Sequence, residues 1–304
     1  MRFRGTVRKA AGGLYEVELE DGRILEAVLR GRLKLEERTG DRVVVGDRVE
    51  VERQPDGVAT IESVEERRSE LARRAPGRGA RRARVIVANV DQVVVVFAAA
   101  HPEPRLRMLD RFLVQSEMSG LPAVIVVNKS DLVDRSEIES RFSVYVRAGY
   151  PVLYTSVLTG EGLEGLRDRL CGRISVLTGP SGVGKSSLLN VLEPGFRLRT
   201  GEVSEAVRKG RHTTVMAELL PLSCGGYVAD TPGLRELGLW GVSRDRLDEC
   251  FPEFRPYLGD CRFGRGCSHT HEPDCAVRAA VESGEVSLDR YESYRTLWDE
   301  AVTD

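Results

Sequence analysis

The first 66 residues alternate apolar and polar positions with the period of a half-buried strand. The pattern runs through Leu14, Val17 and Leu19, then Ile24, Ala27 and Leu29, then Val43 to Val45, Val49 and Val51, then Val58 and Ile61. Asp21-Gly22 supplies a hairpin turn between the first two runs. Five short strands in this length predict a small β-barrel. From Val85 the texture changes to apolar runs alternating with helical segments, which predicts a mainly parallel sheet with strands over 93–97, 123–127, 152–155, 174–178 and 227–229. Leu106, Leu109, Phe112 and Leu113 have helical spacing and read as core contacts of a helix between the first two of these strands. Beyond Trp240 the sheet pattern stops, and a mostly helical segment follows, closed by a helix over 288–301.

These textures divide the chain into a barrel at 1–66, a linker at 67–84, an α/β domain at 85–240 and a helical domain at 241–304. The barrel suits the oligonucleotide-binding class, whose usual ligand is single-stranded or looped nucleic acid. A scaffold or protein-docking barrel is the alternative reading of the same strands, because that fold has many uses. In the linker, Pro76, Gly77 and Gly79 discourage regular structure, while Arg67, Arg68, Arg73, Arg74, Arg78, Arg81, Arg82 and Arg84 concentrate positive charge. It is either a solvated tether or an arm that folds onto RNA phosphates.

Composition adds limits rather than chemistry. A chain of 304 residues has core enough to fold without disulfides, and its formal net charge of −2 conceals the local basic patch. The N-terminus alternates rather than forming an apolar signal segment, and no stretch is long and apolar enough to cross a bilayer, so a cytoplasmic protein without a membrane partner is expected. Cys171, Cys224 and Cys250 are scattered and read as isolated core thiols.

The chemistry sits at the ends of the predicted strands. Gly179-Pro180-Ser181-Gly182-Val183-Gly184-Lys185-Ser186 follows one strand and precedes a helical run, the context of a phosphate loop. Its glycines let successive N–H groups face phosphate, Lys185 adds a point charge and Ser186 offers a magnesium ligand. Asn128-Lys129-Ser130-Asp131 ends another strand. Asp131 can accept from N1–H and the 2-amino group of guanine, Asn128 can meet the N7 and O6 edge, and the Lys129 stem can cover the base. Adenine presents N1 as an acceptor and would face Asp131 with a lone pair, which excludes ATP. Thr155-Ser156 suits the loop that supports the base. Asp230-Thr231-Pro232-Gly233 fits a second switch, with Asp230 on magnesium and the Gly233 amide sensing the γ-phosphate. Arg211-His212-Thr213-Thr214 fits a first switch, in which Thr213 or Thr214 closes over magnesium.

The base-reading motif precedes the phosphate loop, the reverse of the usual order, so the domain is expected to be a circularly permuted P-loop GTPase that holds GTP or GDP with magnesium. Leu234 stands where many GTPases carry a water-orienting glutamine, which predicts slow intrinsic turnover. His212 is the candidate water-positioning group, against the plainer reading that it packs or caps the switch.

Cys261, Cys267 and Cys275 with a histidine supply three thiolates and one imidazole, a set that closes a tetrahedral zinc site with no position left for substrate. His269 or His271 can complete it. The intervening loops around Gly264, Gly266 and Pro273 show no evident core, so metal binding is expected to provide their folding free energy.

With these motifs in hand, the chain resembles the ribosome small subunit-dependent GTPase A proteins of bacteria over nearly its whole length. The resemblance rests on the barrel, the Asn128 to Asp131 motif, 179–187 including Ser187, Gly210-Arg211-His212-Thr213-Thr214, Asp230-Thr231-Pro232-Gly233 and the cysteine-rich module. It implies binding to the small (30S) ribosomal subunit and its rRNA late in assembly, with GTP hydrolysis stimulated by the subunit; a monomer is expected. It also implies one structural zinc held by Cys261, Cys267, His269 and Cys275. Two departures stand out: Val215 replaces a third threonine after Thr214, and five residues rather than four separate Cys261 from Cys267. The competing functional classes are a GTP-gated RNA- or protein-binding switch with incidental hydrolysis, and a P-loop kinase or ATPase, which the Asn128 to Asp131 motif opposes.

Overall fold

The computed structural model describes residues 1–31, 33, 43–53, 58–74, 83–198, 218–230 and 244–301. The chain forms two compact bodies, one of residues 1–93, 167–177 and 189–236, the other of 94–166, 178–188 and 237–304.

In the first body the strands are β1 (Arg2–Ala11), β2 (Leu14–Leu19), β3 (Ile24–Leu29), β4 (Arg48–Arg53) and β5 (Ala59–Val64). β1 pairs antiparallel with β2 and with β4, β2 with β3, and β4 with β5, while β3 and β5 run parallel, so the ring closes as a barrel. Strand alternation explains the closure: Val7, Val17, Val49, Val51 and Ile61 all point inward and are fully buried. Five strands are present, as expected in number, but the set differs in two ways. β1 is a strand in its own right, and Val43 to Val45 are buried without forming one, apart from a single bridge from Val45 to Val87.

The linker reading of 67–84 is corrected at both ends. β6 (Glu70–Arg74) pairs antiparallel with β7 (Ala83–Ala88), because Leu71 and Val87 bury an apolar face that the surrounding arginines obscure in the sequence. Arg67 is not a free phosphate-binding arm: its guanidinium donates to both oxygens of the buried Asp47, at 2.7 and 2.9 Å. The central part of the arginine-rich stretch, 75–82, lies outside the described residues.

The same body carries β12 (Glu218–Pro221) and β13 (Tyr227–Asp230), which pair antiparallel; β13 also runs parallel to β11 (Ile174–Thr178). β12 was not anticipated, and on its other side it meets β1 through Lys9 and Glu218. Cys171 and Cys224 are joined by a disulfide, which corrects their reading as isolated thiols; their Cα atoms lie 5.4 Å apart although 53 residues separate them.

In the second body β8 (Gln92–Ala98), β9 (Ala123–Asn128) and β10 (Val152–Thr155) lie in the order β10-β9-β8, with β9 and β10 parallel. Its helices are α1 (Leu106–Met118) and α2 (Arg135–Arg147); the chain also forms α3 (Leu163–Leu170) and α4 (Lys185–Leu192), the latter following the phosphate loop, each with residues in both bodies. Leu109, Phe112 and Leu113 of α1 are buried as expected.

The C-terminal segment continues through short 3-10 turns to α5 (Ala276–Glu282) and α6 (Leu288–Glu300). It is better packed than its sequence implies. Val114 of α1 joins Leu247, Phe251, Phe254, Val277, Tyr294 and Leu297 in one core, with Phe251 and Phe254 stacked at 5.0 Å and Tyr294 edge-on to both. Arg290 of α6 is buried in that core, 2.6 Å from Asp110 of α1 and 2.6 Å from Glu253, and the Tyr145 hydroxyl donates to Asp110. Among the described residues no helix is long and apolar enough to cross a membrane.

Candidate functional site

β9 and β10 end side by side, with Asn128 level with Thr155, so the two loops expected to hold a base are adjacent by register. The chain turns sharply after β9 because Lys129 takes a left-handed φ of 60°, and a short 3-10 turn follows over Ser130–Leu132. This turn leaves Asn128 buried and Asp131 exposed. The Asn128 amide donates to the Val183 carbonyl of the phosphate loop at 2.9 Å, and its Oδ1 accepts from the Thr155 hydroxyl at 3.2 Å. One side chain therefore fastens together the base-reading motif, the loop after β10 and the phosphate loop. On the exposed side, the Ser156 hydroxyl donates to Asp131 Oδ1 and accepts the N–H groups of Leu158 and Thr159, both at 3.2 Å. The Lys129 ammonium donates to the His101 carbonyl.

The phosphate loop shows why its glycines are needed. Gly179 has a φ of +133°, and a Cβ there would stand 2.1 Å from the Val96 carbonyl oxygen; a Cβ on Gly184 would stand 2.4 Å from the Asn128 amide nitrogen. Lys185 begins α4 and turns its ammonium into the loop, donating to the carbonyls of Gly179 at 2.7 Å and Pro180 at 2.6 Å. A cation at the first residue of a helix, where the backbone N–H groups lack intrahelical partners, suits an anion. Val183 is buried beneath the loop, while Ser181 and Gly182 are exposed and Ser186 and Ser187 are half-buried at the start of α4.

The switch residues are reached only in part. Asp230 closes β13 by its backbone, in register with Glu218. His212, Thr213, Thr214 and Gly233 lie outside the described residues.

The cysteine cluster is assembled as expected. The ligand atoms of Cys261, Cys267, His269 and Cys275 all lie within 4.8 Å of one another, and all four residues are buried. His269 Nδ1 faces the sulfurs of Cys261 and Cys275, at 3.5 and 3.4 Å. Its other nitrogen lies 3.4 Å from Asp248, which fixes the ring's orientation as carboxylates do behind metal-bound imidazoles. Burial opposes a charge on this ring, but the hydrogen bonds and negative charge of Asp248 and Cys261 together outweigh it and raise the pKa. His271 is exposed and bonded to Thr270, so it is not the fourth member. Tyr291 and Tyr294 donate to the carbonyls of His269 and Ser268, tying the loop to α6. Asp248 and these two tyrosines escaped the sequence reading, because nothing in their spacing relates them to the cysteines. Cys250, read as a core thiol, is buried, and burial pushes its pKa up to about 12.

With both sites described, comparison with known proteins identifies the architecture. The family model for the RsgA N-terminal domain matches residues 4–61, and that for the RsgA GTPase matches 64–240. The protein named small ribosomal subunit biogenesis GTPase RsgA in Gemmatimonas aurantiaca is 56% identical over 98% of this chain and 97% of its own length. The protein of the same name in Moorella thermoacetica is 45% identical over 99% and 98%. Among solved structures, YjeQ from Thermotoga maritima superposes with a TM-score of 0.81 at 38% identity, covering 99% of this chain and 98% of that one. YloQ, described as a circularly permuted GTPase, gives 0.76 at 31% identity, covering 99% and 95%. An oligonucleotide-binding barrel, a P-loop domain whose base-reading loop precedes its phosphate loop, and full-length relatives agree with one another: the chain belongs to the RsgA GTPase family and is a circularly permuted GTPase.

Proposed function

We propose that this protein acts on the small (30S) ribosomal subunit late in its maturation, binding it through rRNA and hydrolysing GTP to GDP and phosphate faster when bound. The observation that carries the nucleotide half of the reading is the Asn128 bond to the Val183 carbonyl, which joins the base loop to the phosphate loop as a single receptor. The ribosomal half is supported by the names of the full-length relatives and by the oligonucleotide-binding barrel. Asp131 reads the guanine edge, Lys129 covers the base, Thr155 and Ser156 hold the loop beneath it, and 179–187 with Lys185 bind the phosphates. Ser186, Thr213 or Thr214, and Asp230 are the proposed ligands of magnesium, which neutralises charge on the β- and γ-phosphates when bound. Gly233 senses the γ-phosphate. His212 orients the attacking water, since Leu234 offers it no hydrogen bond.

The cysteine cluster fits a structural zinc: three sulfurs and one imidazole converge, all are buried, and the carboxylate behind His269 is already in place. The protein is proposed to work in the cytoplasm as a monomer. The deciding experiment measures GTP turnover with purified small subunits, with large subunits and with neither. Stimulation by small subunits alone is expected. Equal turnover in all three would favour a GTP-gated binding switch, and a loss of stimulation in His212→Ala would place that histidine at the water.

A further inference from the structure

Glu161 lies between Gly160 and Gly162 in the loop after β10, outside the motifs that define the nucleotide site, yet it joins the two base-binding loops. Its Oε2 accepts from the Ser130 hydroxyl at 2.6 Å, and its Oε1 accepts from Arg135 Nη1 at 2.6 Å. Its backbone is anchored by the Ser156 N–H, which donates to its carbonyl at 3.0 Å. Gly162 beside it has a φ of +66°, and a Cβ there would stand 2.0 Å from the Tyr154 carbonyl oxygen, so the loop fits only in this close form. Arg135 is held in turn by Glu139 at 2.6 Å and by stacking over the Tyr154 ring at 4.3 Å.

We propose that Glu161 is a positioning residue for guanine, holding the Ser130-Asp131 turn in the shape that presents the Asp131 carboxylate to the base. The turn needs such a hold. Lys129 sits in the left-handed region, which a side-chain-bearing residue keeps only where its surroundings enforce it. Ser130, the next residue, is buried, and its hydroxyl finds its acceptor in Glu161. Removing that acceptor leaves a buried donor unsatisfied and favours a turn that exposes it, which moves the adjacent Asp131. Among the described residues, the Ser156 hydrogen bond then holds the Asp131 carboxylate.

The proposal rests on the reading of Asp131 as the guanine-reading group, and the test separates the two. Affinities for GDP and for IDP, which lacks the 2-amino group, are measured by competition against a fluorescent GDP analogue. The variants are Glu161→Ala, Glu161→Gln, Ser130→Ala and the double alanine variant. Glu161→Ala should lower the preference for GDP over IDP by about tenfold. Glu161→Gln, which keeps an acceptor for Ser130, should retain the preference within about twofold. The double variant should be no worse than either single one, because both remove the same bond. An unchanged preference in Glu161→Ala, or equal weakening of GDP and IDP, would overturn the proposal while leaving the guanine reading intact. A wild-type protein with no preference for GDP over IDP would overturn both.

Discussion

At the scale of single residues, the proposed guanine site divides into groups that would read the ligand and groups that hold those readers. Asp131 is exposed and takes a bond from Ser156, while Asn128 is buried and spends both ends of its amide on protein partners. Replacing Asp131 by asparagine puts an amide donor where guanine needs an acceptor and where xanthine offers a carbonyl oxygen. Asp131→Asn should therefore lose GTP affinity by roughly a hundredfold and bind XTP in preference; competition binding with the two triphosphates checks this, and retained GTP preference would remove Asp131 from the base. The proposed readers stand out in the sequence because a base-reading motif has fixed residue types in a fixed order. Asp248, Tyr291, Tyr294 and Glu161 were not, since each matters only through a neighbour that the fold supplies.

At the scale of elements, the strands over 152–155 and 174–178 emerge with the bounds their apolar runs predict. Both are rich in the β-branched and aromatic types that strands favour: Val152, Tyr154 and Thr155 in one, Ile174, Val176 and Thr178 in the other. β6, β7 and β12 are harder to read: β6 carries three charges in five residues, β7 begins inside the arginine-rich stretch, and β12 is four residues long and pairs with the distant β1. The disulfide was likewise hidden, because nothing in a separation of 53 residues announces a Cα distance of 5.4 Å. Treatment of the folded, unreduced protein with iodoacetamide should leave Cys171, Cys224 and Cys250 unlabelled. The first two are bonded to each other, and the third is buried with a thiol that ionises only near pH 12, so almost no thiolate exists at neutral pH. Peptide mapping that found label on Cys250 would contradict its burial. Between α1 and α6, the ion pair of Arg290 with Asp110 lies in the core, where an unpaired charge is costly. Asp110→Ala should lose about 3–5 kcal/mol of stability, read as a shift in the urea midpoint; a loss below 1 kcal/mol would mean that Glu253 alone satisfies the arginine.

At the scale of the whole molecule, the packed aromatic core of 244–301 changes what zinc is expected to do. The sequence reading made the metal the source of folding energy for the cysteine loops, but Cys261, Cys267 and Cys275 share one buried core with Phe251, Phe254 and Tyr294, so apolar burial supplies part of that energy. Chelation at neutral pH should remove one zinc per chain and accelerate hydrogen exchange across 261–275, while the amides of α6 stay protected. Collapse of protection throughout 244–301 would return the metal to the central role. The contact of β1 with β12 bears on how the protein can be dissected. β12 has β13 on one side and the barrel on the other, so a GTPase domain cut free at residue 66 would bare a strand whose unpaired amides and carbonyls invite other chains to add to it. Truncations meant to isolate the catalytic portion would then precipitate for want of a neighbour, and their inactivity would say nothing about where the chemistry resides.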